Sequence, residues 1–102
     1  MLLLELTISP LDQGEHLSDC VAEAIDVIDH SGLPYQLTAM GTLIEGDWDT
    51  VFSVVKQCYE TMRLRSRRIS IQIKVDAREG PGGRLTGKVD TVERRLGRVL
   101  KR

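Results

Sequence analysis

The chain has 102 residues, of which 41% are apolar and 28% charged, with a net charge of −1. That size fits one domain, residues 1–102, around one core, and the composition excludes a disordered chain. No apolar run approaches the roughly 20 residues a membrane span needs, so no membrane partner is expected.

The opening MLLLELTISP alternates Leu2, Leu4, Leu6 and Ile8 with Leu3, Glu5, Thr7 and Ser9, the period of a half-buried strand. It has no basic leader, and Glu5 breaks its leucines, so a cytoplasmic location is the expectation. After Pro10, Leu17 and Ser18 read as the residue before a helix and its N-cap. Val21, Ile25 and Ile28 form that helix's apolar stripe, and Gly32 ends it. Asp19, Glu23, Asp26 and Asp29 lie along its exposed side. PYQLTA is a second strand, Met40-Gly41 a tight reversal, and TLIE a third strand. Asp47 or Asp49 caps a second helix, whose stripe is Val51, Val55, Cys58 and Met62. RISIQIKVDAR is the clearest strand, with Ile69, Ile71, Ile73 and Val75 on one side. EGPGG reads as a flexible loop, and Val89, Val92, Leu96 and Val99 mark a last amphipathic helix.

The order β-α-β-β-α-β-α predicts an α+β, ferredoxin-like βαββαβ fold with a C-terminal helix. Right-handed crossovers give an antiparallel four-stranded sheet with both long helices on one face. The first strand then lies between the third and fourth, which brings Asp12 and Glu15 toward Arg67 and Arg68. The C-terminal helix or another subunit is expected over the other face.

Charge is unevenly divided. No Lys or Arg occurs between Met1 and Val55, which hold ten acids, whereas Lys56 onward holds fourteen bases and five acids. Such a split fits a nucleic-acid surface or two halves that neutralise each other in the fold or across a subunit interface. The second is favoured, and no nucleic-acid partner is expected, because the basic half has a single aromatic residue, Tyr59.

Catalytic patterns are weak, and no enzyme activity is expected. His16 and His30 are separated by a helix, Cys20 and Cys58 read as buried free thiols, and no metal-binding spacing occurs. The open sheet face is the candidate binding surface. Alternation puts Glu5, Thr7, Ser9, Ser70, Gln72 and Lys74 there, with Thr42 and Ile44 if Leu43 faces the helices. Glu45 is either a ligand carboxylate or an acid near a helix N-terminus. Tyr35 and Trp48 either pack at the edge of the core or stack on a ligand ring.

The run SGLPYQLTAMGTLIEGDWDTVFSVV, with LSDCV before it and IQIKVDAR and KVDTVERRL after, resembles the small thiamine-binding proteins of the YkoF-like, ferredoxin-like superfamily. The resemblance covers nearly the whole chain. It implies non-catalytic binding of thiamine or thiamine phosphate, no required cofactor, and a homodimer formed through the sheets that can pair into a tetramer. It carries a ligand role onto Thr7, Ser9 and Thr42, and also onto Tyr35 and Glu45. The chemistry of such a ligand is compatible with these residues, since Glu5 or Glu45 can supply a counter-charge to the thiazolium. Tyr59 stands where many relatives have His. The alternative is a ligand-free structural or regulatory interaction module using the same sheet face.

Overall fold

The structure is a computed structural model that describes residues 1–102. Four strands, β1 (Leu2–Pro10), β2 (Tyr35–Leu37), β3 (Thr42–Gly46) and β4 (Ile69–Ala77), form an antiparallel sheet in the order β2-β3-β1-β4. Helices α1 (Leu17–His30) and α2 (Trp48–Arg63) belong to the two crossovers, and α3 (Arg84–Leu96) follows β4. This is the expected ferredoxin-like arrangement, with the first strand between the third and fourth.

The core follows from the alternation of β1. Leu2, Leu4, Leu6 and Ile8 are buried beneath α1 and α2 together with Ile44, and each fully buried leucine contributes roughly 1.5–3 kcal/mol. From α2 come Val51, Val54, Val55, Cys58 and Met62, which includes all of its expected stripe. From α1 come Cys20, Ala24 and Ile28, so only Ile28 of that helix's expected stripe is fully buried. Two small residues there let the helices approach closely, and the Cys58 thiol donates to the Ala24 carbonyl at 3.4 Å. Burial pushes that thiol up to about 11. Val21 and Ile25 are instead half-buried on the flank of α1.

Local signals hold in part. The Asp47 carboxylate caps α2, accepting from the Thr50 amide at 2.9 Å and its hydroxyl at 2.8 Å. Helix α1 begins one residue before Ser18, after a 3-10 turn over Gly14–His16, and no side chain caps it. β2 is shorter than PYQLTA because Thr38 opens the reversal, its hydroxyl donating to the Gly41 carbonyl at 2.8 Å. Gly41 does not adopt a positive φ. Its glycine is needed for close approach: a Cβ would lie 2.9 Å from Thr7 Oγ1 and 3.0 Å from the Leu6 carbonyl oxygen.

The two charged halves do not neutralise each other within the chain. Glu23–Arg65, at 2.6 Å, is the one ion pair between an acid of the first 55 residues and a later base. Asp12 does reach the basic loop, but through neutral donors. It accepts from the buried Ser66 hydroxyl at 2.5 Å and from the Arg67 backbone amide at 2.9 Å, while Glu15 forms no ion pair. The bonds from Ser66 and then Arg67 hold the Asp12 carboxyl at about 2.

Unfolding removes these bonds and returns Asp12 to its ordinary value of 3.8. The folded state therefore binds this proton less readily than the unfolded state. Its stabilisation is complete above about pH 4 and is lost as pH falls toward 2. Asp47, lowered by the Thr50 amide, acts in the same direction. Urea unfolding midpoints should fall across this window, and Asp12→Asn should make the fall shallower. An unchanged pH slope in the variant would show that Asp12 does not set the acid limit.

Candidate functional site

Strand register decides what the open sheet face carries. Cross-strand partners share a face, and Leu3 pairs with Glu45 and Asp76, Glu5 with Leu43 and Lys74, Thr7 with Gln72, and Ser9 with Ser70. Glu5, Thr7 and Ser9 therefore do lie together on the face away from α1 and α2. Thr42 does not: it pairs with Leu6, faces the helices with Ile44, and is 2% exposed. Leu43 is the residue that faces outward, so β3 has the opposite parity from that expected. The Thr7 hydroxyl is also engaged, donating to the Met40 carbonyl at 3.0 Å.

Glu45 resolves as a structural acid. It is 5% exposed, and its carboxylate accepts from the backbone amides of Gly83 at 2.8 Å, Arg84 at 2.6 Å and Leu85 at 3.0 Å. These are donors at the start of α3 that have no partner within the helix, and a carboxylate there also suits the helix dipole. The glycines of EGPGG make the approach feasible. A Cβ on Gly82 would lie 2.8 Å from Glu45 Oε1, and Gly83 has φ of +86°. The loop is thus an anion cradle occupied by the chain's own carboxylate, rather than a flexible connection. It lays the first turns of α3 against the open face, where Lys88 joins Leu3, Glu5, Leu43, Lys74 and Asp76 around a hollow of about 160 Å³.

A larger concavity lies on the helix side. The flank of α1 and the edge of β2 enclose a groove of about 650 Å³ lined by Leu17, Ser18, Val21, Ala22, Ile25 and Leu37, with Asp26, Asp29 and Tyr35. This explains the second apolar row of α1: one row faces the core, and Leu17, Val21 and Ile25 face the groove. Tyr35 donates its phenol to Asp29 Oδ1 at 2.7 Å, and that bond pushes the phenol's pKa up. His30 Nδ1 sits 2.8 Å from the Asp26 carbonyl oxygen and 3.2 Å from its carboxylate, which raises the imidazole's pKa. Asp26, Asp29 and His30 can bring one ligand atom each within 4.8 Å of one another, but all three are exposed. Asp26 and Asp29 also line the groove and give it an acidic rim.

The six expected ligand residues therefore divide. Glu5, Thr7 and Ser9 share the open face, Tyr35 lines the groove, and Thr42 and Glu45 are buried in the framework. The sequence does not single out Asp26 and Asp29, which line the groove, because exposed acids on a helix read as a solvated face. The available signal was the unusual width of the apolar stripe beside them. No helix is long and apolar enough to cross a membrane.

Fold and groove together define a small ferredoxin-like α+β domain with an apolar, acid-rimmed cleft. The chain belongs to the thiamine-binding protein family, whose profile matches residues 4–93. A UPF0045 protein of Mycobacterium bovis is 46% identical over 95 residues, covering 92% of this chain and 93% of the relative. A UPF0045 protein of Synechocystis is 35% identical over 92 residues, covering 89% and 76%. Among solved structures, a hypothetical protein of Methanocaldococcus jannaschii superposes with a TM-score of 0.80 at 28% identity, over 89% of this chain and 94% of that one. A Thermotoga maritima protein provisionally ascribed to thiamine biosynthesis or salvage gives 0.80 at 21% identity, over 89% and 97%, and shows the shared fold.

Replacing Glu45 by Gln should weaken the attachment of α3 by about 2 kcal/mol, the upper range for a charge at a helix terminus. Limited trypsin digestion should then cut between Arg84 and Arg95 while the sheet with α1 and α2 stays protected. Gly82→Ala should act similarly, since its methyl group would intrude on Oε1. Equal protease resistance in wild type and both variants would show that the carboxylate does not hold α3.

Proposed function

We propose that this protein binds thiamine or a related small heteroaromatic cation, without catalysing a reaction, in the groove between α1 and β2. The observation that carries the reading is the Tyr35–Asp29 pair set over an apolar floor, in a chain of the thiamine-binding protein family. Volume supports the groove over the sheet face. Small-molecule pockets run to roughly 300–1,000 Å³, which accommodates the groove at about 650 Å³ and not the sheet-face hollow at about 160 Å³. A cationic ring would lie against Val21 and Ile25, with Asp26 and Asp29 as counter-charges. Tyr35, its ring oriented by Asp29, would offer a stacking face, and the Ser18 hydroxyl could pair with the ring amine.

Isothermal titration with thiamine and its phosphates tests this. Asp29→Asn should weaken binding about tenfold, equivalent to about 1.4 kcal/mol, and Tyr35→Leu should do the same or more. Thr7→Val and Ser9→Ala should leave it unchanged. The reverse pattern would move the site to the open sheet face, and no heat at millimolar thiamine would remove the thiamine reading.

We also propose that copies associate through uncovered parts of the sheet. β4 is a nine-residue edge strand whose Ile71 and Ile73 remain 38% and 42% exposed, and an edge of this kind is a template for pairing with another chain. Sedimentation velocity at micromolar concentration should give a dimer or tetramer, and Ile73→Lys should shift it toward monomer. A wild-type protein that sediments only as monomer would overturn this.

A further inference from the structure

The geometry points to a second binding site, for the phosphate or diphosphate group of a small molecule, in the groove between the end of β4 and α3. Its concavity of about 590 Å³ is lined by Arg78, Arg84, Lys88 and Arg94, with Thr91 and Gly87. Asp76 is the acid that meets this cluster, pairing with Arg84 and, at 3.6 Å, with Lys88. Arg78 and Arg94 pair with no acid. Asp76 offsets part of this charge, but four cations around one carboxylate leave an excess that structural pairing does not require.

Two observations separate this groove from an ordinary solvated basic face. The Arg84 side chain is 16% exposed and makes one hydrogen bond, to Asp76, while its buried Nη1 has no partner. Buried polar groups are almost always paired, so this guanidinium retains unused donor capacity. Gly87 lies inside α3, where glycine is unfavourable, yet a Cβ there would meet nothing within 4 Å. Packing within the chain does not require glycine at that position; close approach of a ligand to the helix backbone would.

The chemistry selects the class of anion. Arginine forks match the several oxygens of a phosphate, and the four surrounding cations suit a diphosphate better than a single carboxylate. The first amides of α3 are already occupied by Glu45, so recognition falls to side chains. The site lies by α3, away from the α1–β2 groove, and does not depend on the thiamine reading.

Inorganic pyrophosphate and phosphate are the probes, with the full chain, at fixed ionic strength. Pyrophosphate should bind with sub-millimolar affinity by titration calorimetry and more tightly than phosphate. Arg94→Gln and Arg78→Gln, which leave the core untouched, should each weaken it at least threefold, with unchanged circular dichroism. Asp29→Asn, in the other groove, should have no effect. No pyrophosphate binding at millimolar concentration would overturn the proposal, as would binding indifferent to both arginine variants. Arginine-dependent binding of a single-stranded RNA in strong preference to pyrophosphate would also overturn it, assigning the groove to a polymer.

Discussion

The reach of Glu45 across to the start of α3 is the constraint on which the surface of this molecule depends. One carboxylate takes three backbone donors from Gly83, Arg84 and Leu85. α3 has no fully buried residue of its own, so ordinary core packing does not fix its position. Charge-assisted bonds to backbone amides do, and their strength comes from low exposure and from agreement with the helix dipole. That contact, together with the pairing of Asp76 with Arg84 and Lys88, places what α3 presents, including Lys88 over the sheet and the arginines behind it.

The sheet then separates two unlike recesses. One, between α1 and β2, is apolar with carboxylates at its rim; the other, beside α3, is walled by cations. The uneven charge of the sequence thus becomes a spatial division, with Glu23–Arg65 as the ion pair that crosses it. Apolar burial beneath α1 and α2 holds the scaffold together, and the acids of α1 and the bases of α3 lie outside that core.

Features governed by local periodicity could be read from the sequence alone. β1 and β4 alternate cleanly, α2 carries one apolar stripe, and the order of elements with right-handed crossovers leads to the observed topology. The parity of β3 was not legible, because Leu43 and Ile44 are adjacent and either could turn inward. Register with β1 settles it, since Ile44 pairs with the core residue Leu4. The stripe of α1 misled because the helix has two apolar rows, and which one meets the core depends on how closely Cys20 and Ala24 let α2 approach. Glu45 and the EGPGG loop stayed unexplained separately for a related reason. Each is the other's partner, and the contact exists only after the sheet has formed.

Placing the first strand in the middle of the sheet has a consequence for how the chain comes to be folded. β1 has its inner neighbour β3 within reach once about half of the chain exists, but its other neighbour is β4, and Leu2 pairs with Ala77. During synthesis, the leucine-rich strand leaves the ribosome before either of its partners and waits for β4 before both of its edges are satisfied. Contacts of such long sequence separation slow folding, and an unpaired apolar strand is exposed to aggregation while it waits. The neighbouring early segment carries ten acids and no Lys or Arg up to Val55, and net charge of one sign opposes association.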